Sequence, residues 1–303
     1  MEEAVVVRTQ RESANQRYME RVDAVLAQRT RLRGPQPPGD LFAGLPPGHP
    51  LLNVDPHQAP DENRKVIAAY LQPDDVVVDV GGGAGRMSLP LALRCREVIN
   101  VDGSAAMGRA FQGNATRAGI ENARFIEGDW LTVDPPIGTV ALVNHVTYFQ
   151  REIQAFIDKV ESAGTRRVII TVNSPPPPSA QRVLFKLVHE EPEEVEPGHV
   201  ELLNALWEMG LLPDVAALPE PSIPRPGPFA SREAAIDGAM ARFTPQWAFW
   251  PRRPRLDGRL RAVLENRFDE LFARRPEGYS PGWFIEGREV LITWRPGIDR
   301  QVV

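Results

Sequence analysis

The chain has 303 residues, of which 42% are hydrophobic and 25% charged, and its formal net charge at pH 7 is −5. These values lie near the averages of soluble globular proteins, so they exclude wholesale disorder and argue against a surface built for the phosphates of nucleic acid. The single cysteine, Cys95, excludes an intramolecular disulfide and a cysteine-based zinc site. The sequence has no secretory leader and no uncharged apolar run of about 18 residues, which predicts a cytoplasmic protein without a membrane span.

The N-terminal part differs in composition from the rest. Residues 9–33 are strongly charged, and Tyr18, Val22 and Val25 fall at the spacing of one helical face, which predicts a helix. Residues 34–60 are rich in proline and glycine, and proline lacks the amide donor that a helix or a central strand needs. Because apolar residues recur in this segment, we expect an ordered loop that packs on the core.

From Asp61 onward, short apolar strands alternate with amphipathic helices. The predicted strands are Val76–Val80, Glu97–Val101, Ala123–Ile126, Val140–Asn144 and Arg167–Val172. The predicted helices are Asp61–Leu71, Arg86–Arg94, Ala105–Ala118 and Arg151–Ser162. Strands that alternate with helices form parallel βαβ units, and a sheet covered by helices on both faces explains the near-continuous valine and isoleucine runs.

The C-terminal part continues this α/β pattern and adds an insertion. Further helices are predicted at Ala180–Glu191 and Val200–Met209, and further strands at Leu211–Leu218 and Glu289–Trp294. The insertion has predicted helices at Ser231–Arg242 and Leu256–Arg274. We therefore divide the chain into a cover segment (1–60), a core (61–219), a helical insertion or lid (220–287) and a last core strand with its tail (288–303).

A glycine-rich turn, Gly81-Gly82-Gly83-Ala84-Gly85, directly follows the strand that contains Asp79 and precedes a helix. Glycine lets the backbone turn tightly and approach a ligand that a Cβ would obstruct, although an ordinary tight turn has the same composition. The dinucleotide fingerprint needs its third glycine one position later, where this chain has Arg86. The turn therefore predicts a nucleotide-type ligand and disfavours a dinucleotide.

Acidic residues end the next two strands. Asp102 closes VINVD, where a carboxylate can accept both hydroxyl protons of a ribose. Asp129 and Trp130 follow the strand ARFIE, where a carboxylate can accept from an adenine amino group and an indole can cover the ring. Plainer interpretations stay open, since Asp102 can cap the helix that begins near Ser104 and Trp130 can be a packing residue.

Together, the motifs DVGGGAG, VINVDGS, GDW and VNHVTYF resemble those of the class I S-adenosylmethionine (SAM) dependent methyltransferases. The resemblance covers about residues 61–172 and a return through the final strand VLITW. It implies a Rossmann-like, seven-stranded, mostly parallel sheet with helices on both faces, SAM as the cofactor, and methyl transfer by direct displacement.

The resemblance also implies roles for individual residues. It places Asp79 and the glycines at the methionine and ribose portion, Asp102 at the ribose hydroxyls, and Asp129 beside the adenine. The complete set implied for cofactor binding is Asp79, Gly81, Gly82, Gly83, Gly85, Asp102, Gly103, Ser104, Met107, Asp129, Trp130 and Asn144.

The catalytic candidates follow the fourth strand. His145 is the first candidate for a general base, because an imidazole titrates near neutral pH, and Tyr148 is the second. A hydrogen-bonded core histidine and a core tyrosine are equally compatible with the sequence. Asn144 stands where metal-dependent catechol-type enzymes carry an aspartate, so we expect no metal.

The methyl acceptor is expected to be a small molecule bound under the N-terminal helix and the insertion. Because the net charge of the chain is negative, nucleic acid is an unlikely partner. Aromatic residues of the insertion that could line this pocket, or pack on the core, are Phe243, Trp247, Phe249 and Trp250. An arginine cluster there has the pattern of a solvated face, with members Arg252, Arg253, Arg255, Arg259 and Arg261. Alternatives are an RNA or protein methyltransferase, a nicotinamide-dependent oxidoreductase and a non-catalytic SAM-binding protein, and the oligomeric state stays open.

We predict that Asp102→Ala weakens SAM binding by about 1–3 kcal/mol, the usual cost of losing a charged hydrogen-bond acceptor. Isothermal titration of the folded variant measures this loss directly. An unchanged affinity would contradict the assignment of Asp102 to the ribose.

Overall fold

The structure is a computed structural model, and it describes residues 12–34, 39–46, 48–177, 181–243 and 254–301. Its strands are β1 Val76–Val80, β2 Glu97–Asp102, β3 Ala123–Glu127, β4 Gly138–Asn144, β5 Gly164–Ser174, β6 Asp214–Ile223, β7 Phe272–Arg275, β8 Gly278–Pro281 and β9 Gly287–Trp294. Its α-helices are α1 Ala14–Arg33, α2 Glu62–Ala68, α3 Ser88–Ala92, α4 Ala105–Arg117, α5 Ile153–Ala163, α6 Arg182–His189, α7 His199–Glu208, α8 Arg232–Phe243, α9 Pro254–Asn266 and α10 Phe268–Leu271. A 3₁₀ turn, Thr147–Phe149, follows β4.

Within these residues, seven strands form one sheet in the order β3-β2-β1-β4-β5-β9-β6. The strand β9 runs antiparallel to both of its neighbours, and the other strands are mutually parallel. This topology confirms the predicted α/β class with a mostly parallel, Rossmann-like sheet. It also brings the beginning of β9 to the edge where the parallel strands end.

Alternate residues of the strands bury on opposite faces of the sheet, as period-2 geometry requires. Val76, Val78 and Val80 of β1 lie in a core cluster with residues of α1, α5 and α7. Val77 lies in a second cluster with residues of α2, α3 and α4. Since burial of a valine side chain contributes roughly 1.5–3 kcal/mol, both faces stabilise the sheet.

The N-terminal helix and the loop after it pack on the core. Tyr18 of α1 is buried and donates its hydroxyl to the carbonyl of Thr147 at 2.7 Å. The loop then follows α4 along its length. Its Asp40 accepts from the N–H of Ala106 at 2.9 Å, and His57 contacts the carbonyl of Ala118 at 2.9 Å through Nε2. The cover segment therefore contacts both ends of α4.

One predicted element, the sixth strand, differs in the structure because of proline. The sixth strand begins at Asp214 rather than at Leu211, since Pro213 lacks the amide donor that a ladder requires. It nevertheless continues past Pro219 and Pro221, which β6 tolerates because it is an edge strand.

The insertion is less helical than predicted. The expected helix Leu256–Arg274 ends at Asn266, and after the short α10 the chain forms the hairpin β7–β8. Phe268 of α10 packs on Phe272 of β7 with ring centroids 4.7 Å apart, and this aromatic contact fixes where the helix gives way to the strand. These residues share a third apolar cluster with α6, α8 and α9.

No helix within the described ranges is long and apolar enough to cross a membrane.

A pair of glycine substitutions separates backbone strain from packing in this fold. Gly85 and Gly119 both have positive φ, 87° and 65°, so alanine strains the backbone at either position. Only at Gly85 would a Cβ lie 2.6 Å from Leu89 Cγ and 2.8 Å from Phe111 Cδ2. We predict that Gly85→Ala lowers the free energy of unfolding by about 1–3 kcal/mol more than Gly119→Ala, measured by urea denaturation without ligand. Equal losses would contradict this packing.

Candidate active site

The glycine turn after β1 has the backbone that its sequence predicts. Gly81, Gly83 and Gly85 adopt φ of 70°, 53° and 87°, in the region that glycine enters without steric cost. Gly82 is required for another reason, because a Cβ there would lie 2.0 Å from Oδ2 of Asp79. The turn therefore passes directly over a carboxylate and leaves its backbone open to a ligand.

Two asparagines that the sequence motifs did not single out hold this turn. Asn100 of β2 donates its amide to the carbonyl of Gly83 at 2.8 Å, and Asn114 of α4 donates to the carbonyl of Ala84 at 2.9 Å. Both asparagines are buried. The signal available in the sequence was a polar residue inside an otherwise apolar strand, VINVD.

Asp79 is a buried carboxylate without a cationic partner. It is fully buried. Burial raises the pKa of Asp79 to about 7, hydrogen bonding with the buried hydroxyl of Ser88 opposes the rise, and the negative charge of Asp102 adds to it. A buried carboxylate in this state attracts a positively charged group, because such a partner offsets the cost of desolvation.

Asp102 ends β2 and connects the turn to the next helix. Its Oδ2 accepts from the N–H of Gly83 at 3.0 Å, and its Oδ1 accepts from the N–H of Ser104 at 2.8 Å. Burial raises the pKa of Asp102, and these two hydrogen bonds oppose the rise. Each carboxylate oxygen keeps a further lone pair, so the local bonds are compatible with a ribose hydroxyl as an additional donor.

Ser104 is the N-cap of α4, since its hydroxyl oxygen accepts from the N–H of Met107 at 3.0 Å. The same hydroxyl donates to Asp40 at 2.8 Å. Burial acts in the opposite direction, but hydrogen bonds from Ala106 and Ser104 hold the pKa of Asp40 below its ordinary value. Asp40 lies beside the candidate ribose site, and no sequence motif indicated it.

Three other residues predicted to bind the cofactor are Met107, Gly103 and Asp129. Met107 lies against the turn, with its sulfur 3.6 Å from the position of a Cβ on Gly83. Gly103 follows Asp102, whose carbonyl accepts from the N–H of Gly128 just after β3, at 3.1 Å. Asp129 is exposed, and its Oδ1 accepts from the N–H of Leu131 at 2.8 Å.

Trp130 is 7% exposed and belongs to the core cluster that also contains α5. Lys159 of that helix lies over its ring, 5.6 Å from the centroid. This placement favours the packing role that the sequence left open.

His145 and Tyr148 lie together beside the glycine turn. Nδ1 of His145 is 3.1 Å from the hydroxyl of Tyr148, and Val146 between them reaches to 2.7 Å from the position of a Cβ on Gly81. His145 has φ of 60°, and non-glycine residues in this left-handed region are concentrated at functional sites. The segment after β4 therefore contacts the part of the turn that was predicted to hold the methionine end.

Glu289, at the beginning of β9, completes this group. Its Oε1 is 3.1 Å from Nε2 of His145 and 3.3 Å from the amide nitrogen of Asn144. Its Oε2 accepts from Asn63 at 3.3 Å. Burial alone would raise the pKa of Glu289, but hydrogen bonds from His145, Thr171 and Asn63 together hold it below its ordinary value.

The surroundings of Tyr148 are also polar. Its hydroxyl oxygen accepts from the N–H of Asn173 at 2.6 Å, and burial raises its pKa. Phe149 is 43% exposed, and the guanidinium of Arg29 lies 4.7 Å from the centroid of its ring. Arg29 also forms an ion pair with the buried Glu196.

Some of the predicted acceptor-pocket residues cannot be placed. Trp247, Phe249, Trp250, Arg252 and Arg253 lie outside the described residues, as do the side chains of Phe243 and Arg255. Arg259 and Arg261 are exposed and pair with Glu190 and Asp237, which fits a solvated face.

The electrostatics of the edge are set by carboxylates. Neither Asp79 nor Asp102 forms an ion pair with an arginine or lysine in the described part of the chain, and Arg86 is exposed. Such an edge favours a cofactor with positive charge over one with a pyrophosphate. Among the described residues, no cluster of three or more histidine, cysteine, aspartate or glutamate side chains could hold a metal ion.

We predict that Asp79→Asn stabilises the ligand-free protein at pH 8 and does so much less at pH 4.5. The folded pKa of about 7 exceeds the ordinary value of 3.8, so wild-type stability is fully present below pH 3.8 and is lost as the pH rises towards 7. The asparagine amide does not ionise. We therefore expect Asp79→Asn to raise the free energy of unfolding at pH 8 by on the order of 2–4 kcal/mol, measured by thermal or urea unfolding.

Exposed Asp134 provides the matched control, because Asp134→Asn changes the same atoms in solvent. If Asp79→Asn raised the free energy of unfolding equally at pH 8 and pH 4.5, the charge of buried Asp79 would not be the cause of that increase.

Residues 77–163 match the family Methyltransf_25, described as a methyltransferase domain. Over shorter stretches the chain is similar to two proteins named 23S rRNA (uracil(1939)-C(5))-methyltransferase RlmD. The protein of Aeromonas salmonicida (strain A449) is 48% identical over 56 residues, which are 18% of this chain and 13% of that protein. The protein of Xanthomonas campestris pv. campestris (strain 8004) is 43% identical over 77 residues, which are 24% of this chain and 17% of that protein. The chain thus spans less than a fifth of these curated relatives.

Among solved structures, a candidate methyltransferase from Bacillus halodurans C-125 matches 76% of this chain and 95% of its own, with a TM-score of 0.50. Its sequence identity is 12%, so the likeness concerns the fold. Residues 77–163 therefore match a methyltransferase domain, and the chain as a whole shares the fold of the solved structure.

Proposed function

We propose that this protein transfers a methyl group from SAM to a hydroxyl or amino group of a small molecule, without a metal ion. The observation that carries the proposal is the pair of carboxylates at the glycine turn, Asp79 and Asp102, neither of which has a cationic partner among the described residues. A nicotinamide dinucleotide would bring a pyrophosphate to this edge, whereas SAM brings a sulfonium and an ammonium group.

The residues present fit this cofactor. The backbone of Gly81–Gly85 and the carboxylate of Asp79 would hold its methionine portion, and Asp102 would accept from the ribose hydroxyls. When bound, the cofactor supplies a methyl group on a positively charged sulfur, so no further activation of the donor is needed. The work left to the protein is to align the acceptor, to exclude water and to take up a proton where the acceptor loses one.

His145 and Tyr148 are the residues that we propose for proton uptake. They follow β4, contact the turn near Gly81 through Val146, and are hydrogen-bonded to each other at 3.1 Å. His145 keeps a partly exposed side chain, whereas Tyr148 is buried. An acceptor bound beside His145 would therefore lie next to the methionine end of the cofactor.

An RNA acceptor is the alternative that the similarity to the RlmD proteins raises. Two observations favour a small molecule. Three arginines of α1 are already paired with glutamates, as Arg21–Glu201, Arg29–Glu196 and Arg31–Glu191. A groove for RNA needs basic side chains that are free to contact phosphate.

Cys95 gives the second observation. Methylation at C5 of a uracil requires a nucleophile that adds to the ring, and a thiolate is the usual form in which cysteine attacks. Burial raises the pKa of Cys95 to about 11, and its sulfur contacts the carbonyl of Glu97 at the beginning of β2, the end of the strand opposite Asp102. This thiol is unsuited to that chemistry.

Calorimetric titration with S-adenosylhomocysteine (SAH), SAM and NADH tests the cofactor. We expect SAH and SAM to bind and NADH to give no heat. Binding of NADH without a response to SAH would contradict the proposal.

Transfer of tritium from methyl-labelled SAM tests the acceptor. The protein is incubated with a cell extract, which is then separated into RNA, protein and small molecules, and Asp102→Ala serves as the matched control. We expect the label among the small molecules, at a rate that depends on Asp102. Label in the RNA would overturn the small-molecule acceptor and support the alternative.

A further inference from the structure

Glu289 has an unusual set of neighbours for a buried carboxylate. Its side chain is buried at the edge of the sheet, and its hydrogen-bond donors among the described residues are His145, Asn63, Asn144 and Thr171. Three of these donors are neutral at every pH. His145 is therefore the only one of them that can supply a positive charge to balance the carboxylate.

The hydrogen bonds around His145 determine which ring nitrogen carries the proton. An ionised carboxylate can only accept, so Nε2, 3.1 Å from Glu289, must be the protonated nitrogen. Nδ1 is then free to accept from the hydroxyl of Tyr148, at 3.1 Å. The oxygen of Tyr148 in turn accepts from the backbone N–H of Asn173. This single arrangement of protons satisfies the hydrogen bonds among Glu289, His145, Tyr148 and the backbone N–H of Asn173.

This arrangement of hydrogen bonds favours proton transfer from Tyr148 towards His145. Tyr148 donates towards Nδ1, and the charge of Glu289 lies on the far side of the ring. A proton that reaches Nδ1 therefore creates an imidazolium ion directly beside a buried carboxylate, where it is stabilised most. This is the logic by which a carboxylate fixes the tautomer of a histidine base in hydrolytic triads.

We propose that Glu289 is the positioning residue that fixes His145 as a proton acceptor, and that the group methylated at this site is a hydroxyl. The inference rests on the proposed function. A hydroxyl attacks the methyl carbon poorly while it keeps its proton, and so it benefits from a base in the transition state. A neutral amine or a carboxylate already has a free electron pair and needs none.

The proton and electron balance is simple. The acceptor oxygen forms a bond to the methyl carbon as the carbon–sulfur bond breaks, and the sulfur keeps that electron pair and becomes a neutral thioether. The hydroxyl proton passes to the oxygen of Tyr148 as the proton of Tyr148 passes to Nδ1 of His145. The positive charge that leaves the sulfur is thus found on the imidazolium ion beside Glu289, until solvent removes the proton.

The antiparallel direction of the last strand brings Glu289 to the edge of the sheet where His145 lies. Glu289 is opposite Asn173 in the pairing of β9 with β5, and β5 ends at the same edge as β4. A parallel β9 would bring its carboxyl end, not its beginning, to the site. The strand order thus delivers a residue from the end of the sequence to His145.

The tautomer of His145 tests the role of Glu289 without any acceptor. Long-range ¹H–¹⁵N NMR of histidine-labelled protein, bound to SAH and with His145 assigned through His145→Gln, distinguishes the two ring nitrogens. We expect the Nε2–H form in the wild type, retention of that form in Tyr148→Phe, and a mixture of tautomers in Glu289→Gln. Exposed Glu286 gives the matched control, Glu286→Gln, in which the spectrum should be unchanged. A wild-type protein in the Nδ1–H form, or an unchanged spectrum in folded Glu289→Gln, would overturn the proposal.

The linkage of the transferred methyl group tests the acceptor class. In the labelled small-molecule fraction, a methyl ether resists mild base and yields methyl iodide with hydriodic acid, whereas a methyl ester releases methanol in mild base. We expect an ether, formed about 10–100-fold more slowly by Glu289→Gln at an unchanged affinity for SAH. An ester, an N-methyl or a C-methyl product would overturn the hydroxyl acceptor. Label in the RNA would instead contradict the proposed function, and the tautomer would still decide the role of Glu289.

Discussion

The close approach of the Gly82 backbone to the buried carboxylate of Asp79 is the constraint on which the rest of the site depends. A Cβ at Gly82 would lie 2.0 Å from Oδ2 of Asp79, so only glycine permits the turn to cross the end of β1 at this height. The position of this glycine turn also determines where the N–H of Gly83 donates to Asp102 and where Val146 packs against Gly81. A ligand bound at this edge therefore contacts backbone on one side and carboxylates on the other.

The same edge collects negative charge from distant parts of the sequence. Asp79 and Asp102 end neighbouring parallel strands, and Glu289 begins the antiparallel strand β9. Desolvation makes each of these charges costly unless a donor or a cation compensates it. Glu289 is compensated by His145 and by neutral donors, whereas Asp79 lacks a cationic partner in the described part of the chain. The edge is thus complementary to a cofactor that carries positive charge, and His145 can take up the charge that methyl transfer would release.

Much of the core could be predicted from the sequence, because a parallel sheet imposes short apolar strands and places polar residues at their carboxyl ends. The turn, Asp102, His145 and Tyr148 were proposed as site residues in this way, and their roles stay predictions. The seven-stranded, mostly parallel sheet is also as predicted. Asn100 and Asn114 were missed because one asparagine in an apolar strand, and one in a helix, give no periodic signal.

Other features depend on contacts that are remote in sequence. Glu289 reaches His145 only because β9 pairs with β5 in an antiparallel register, which local patterns do not specify. The hairpin β7–β8 replaced the end of a predicted helix, since aromatic packing on Phe268 overrode a charged, helix-like composition. Trp130, predicted at the adenine or in the core, is buried beside Lys159, which favours packing, and its role towards the adenine stays a prediction.

The most direct test of the central claim is a crystal structure of the protein with SAH. The account predicts that the ribose hydroxyls contact Asp102, that the amino acid portion lies on the Gly81–Gly85 backbone near Asp79, and that the sulfur faces the side of the site formed by His145. A ligand bound away from this edge, or one whose ribose does not contact Asp102, would contradict it.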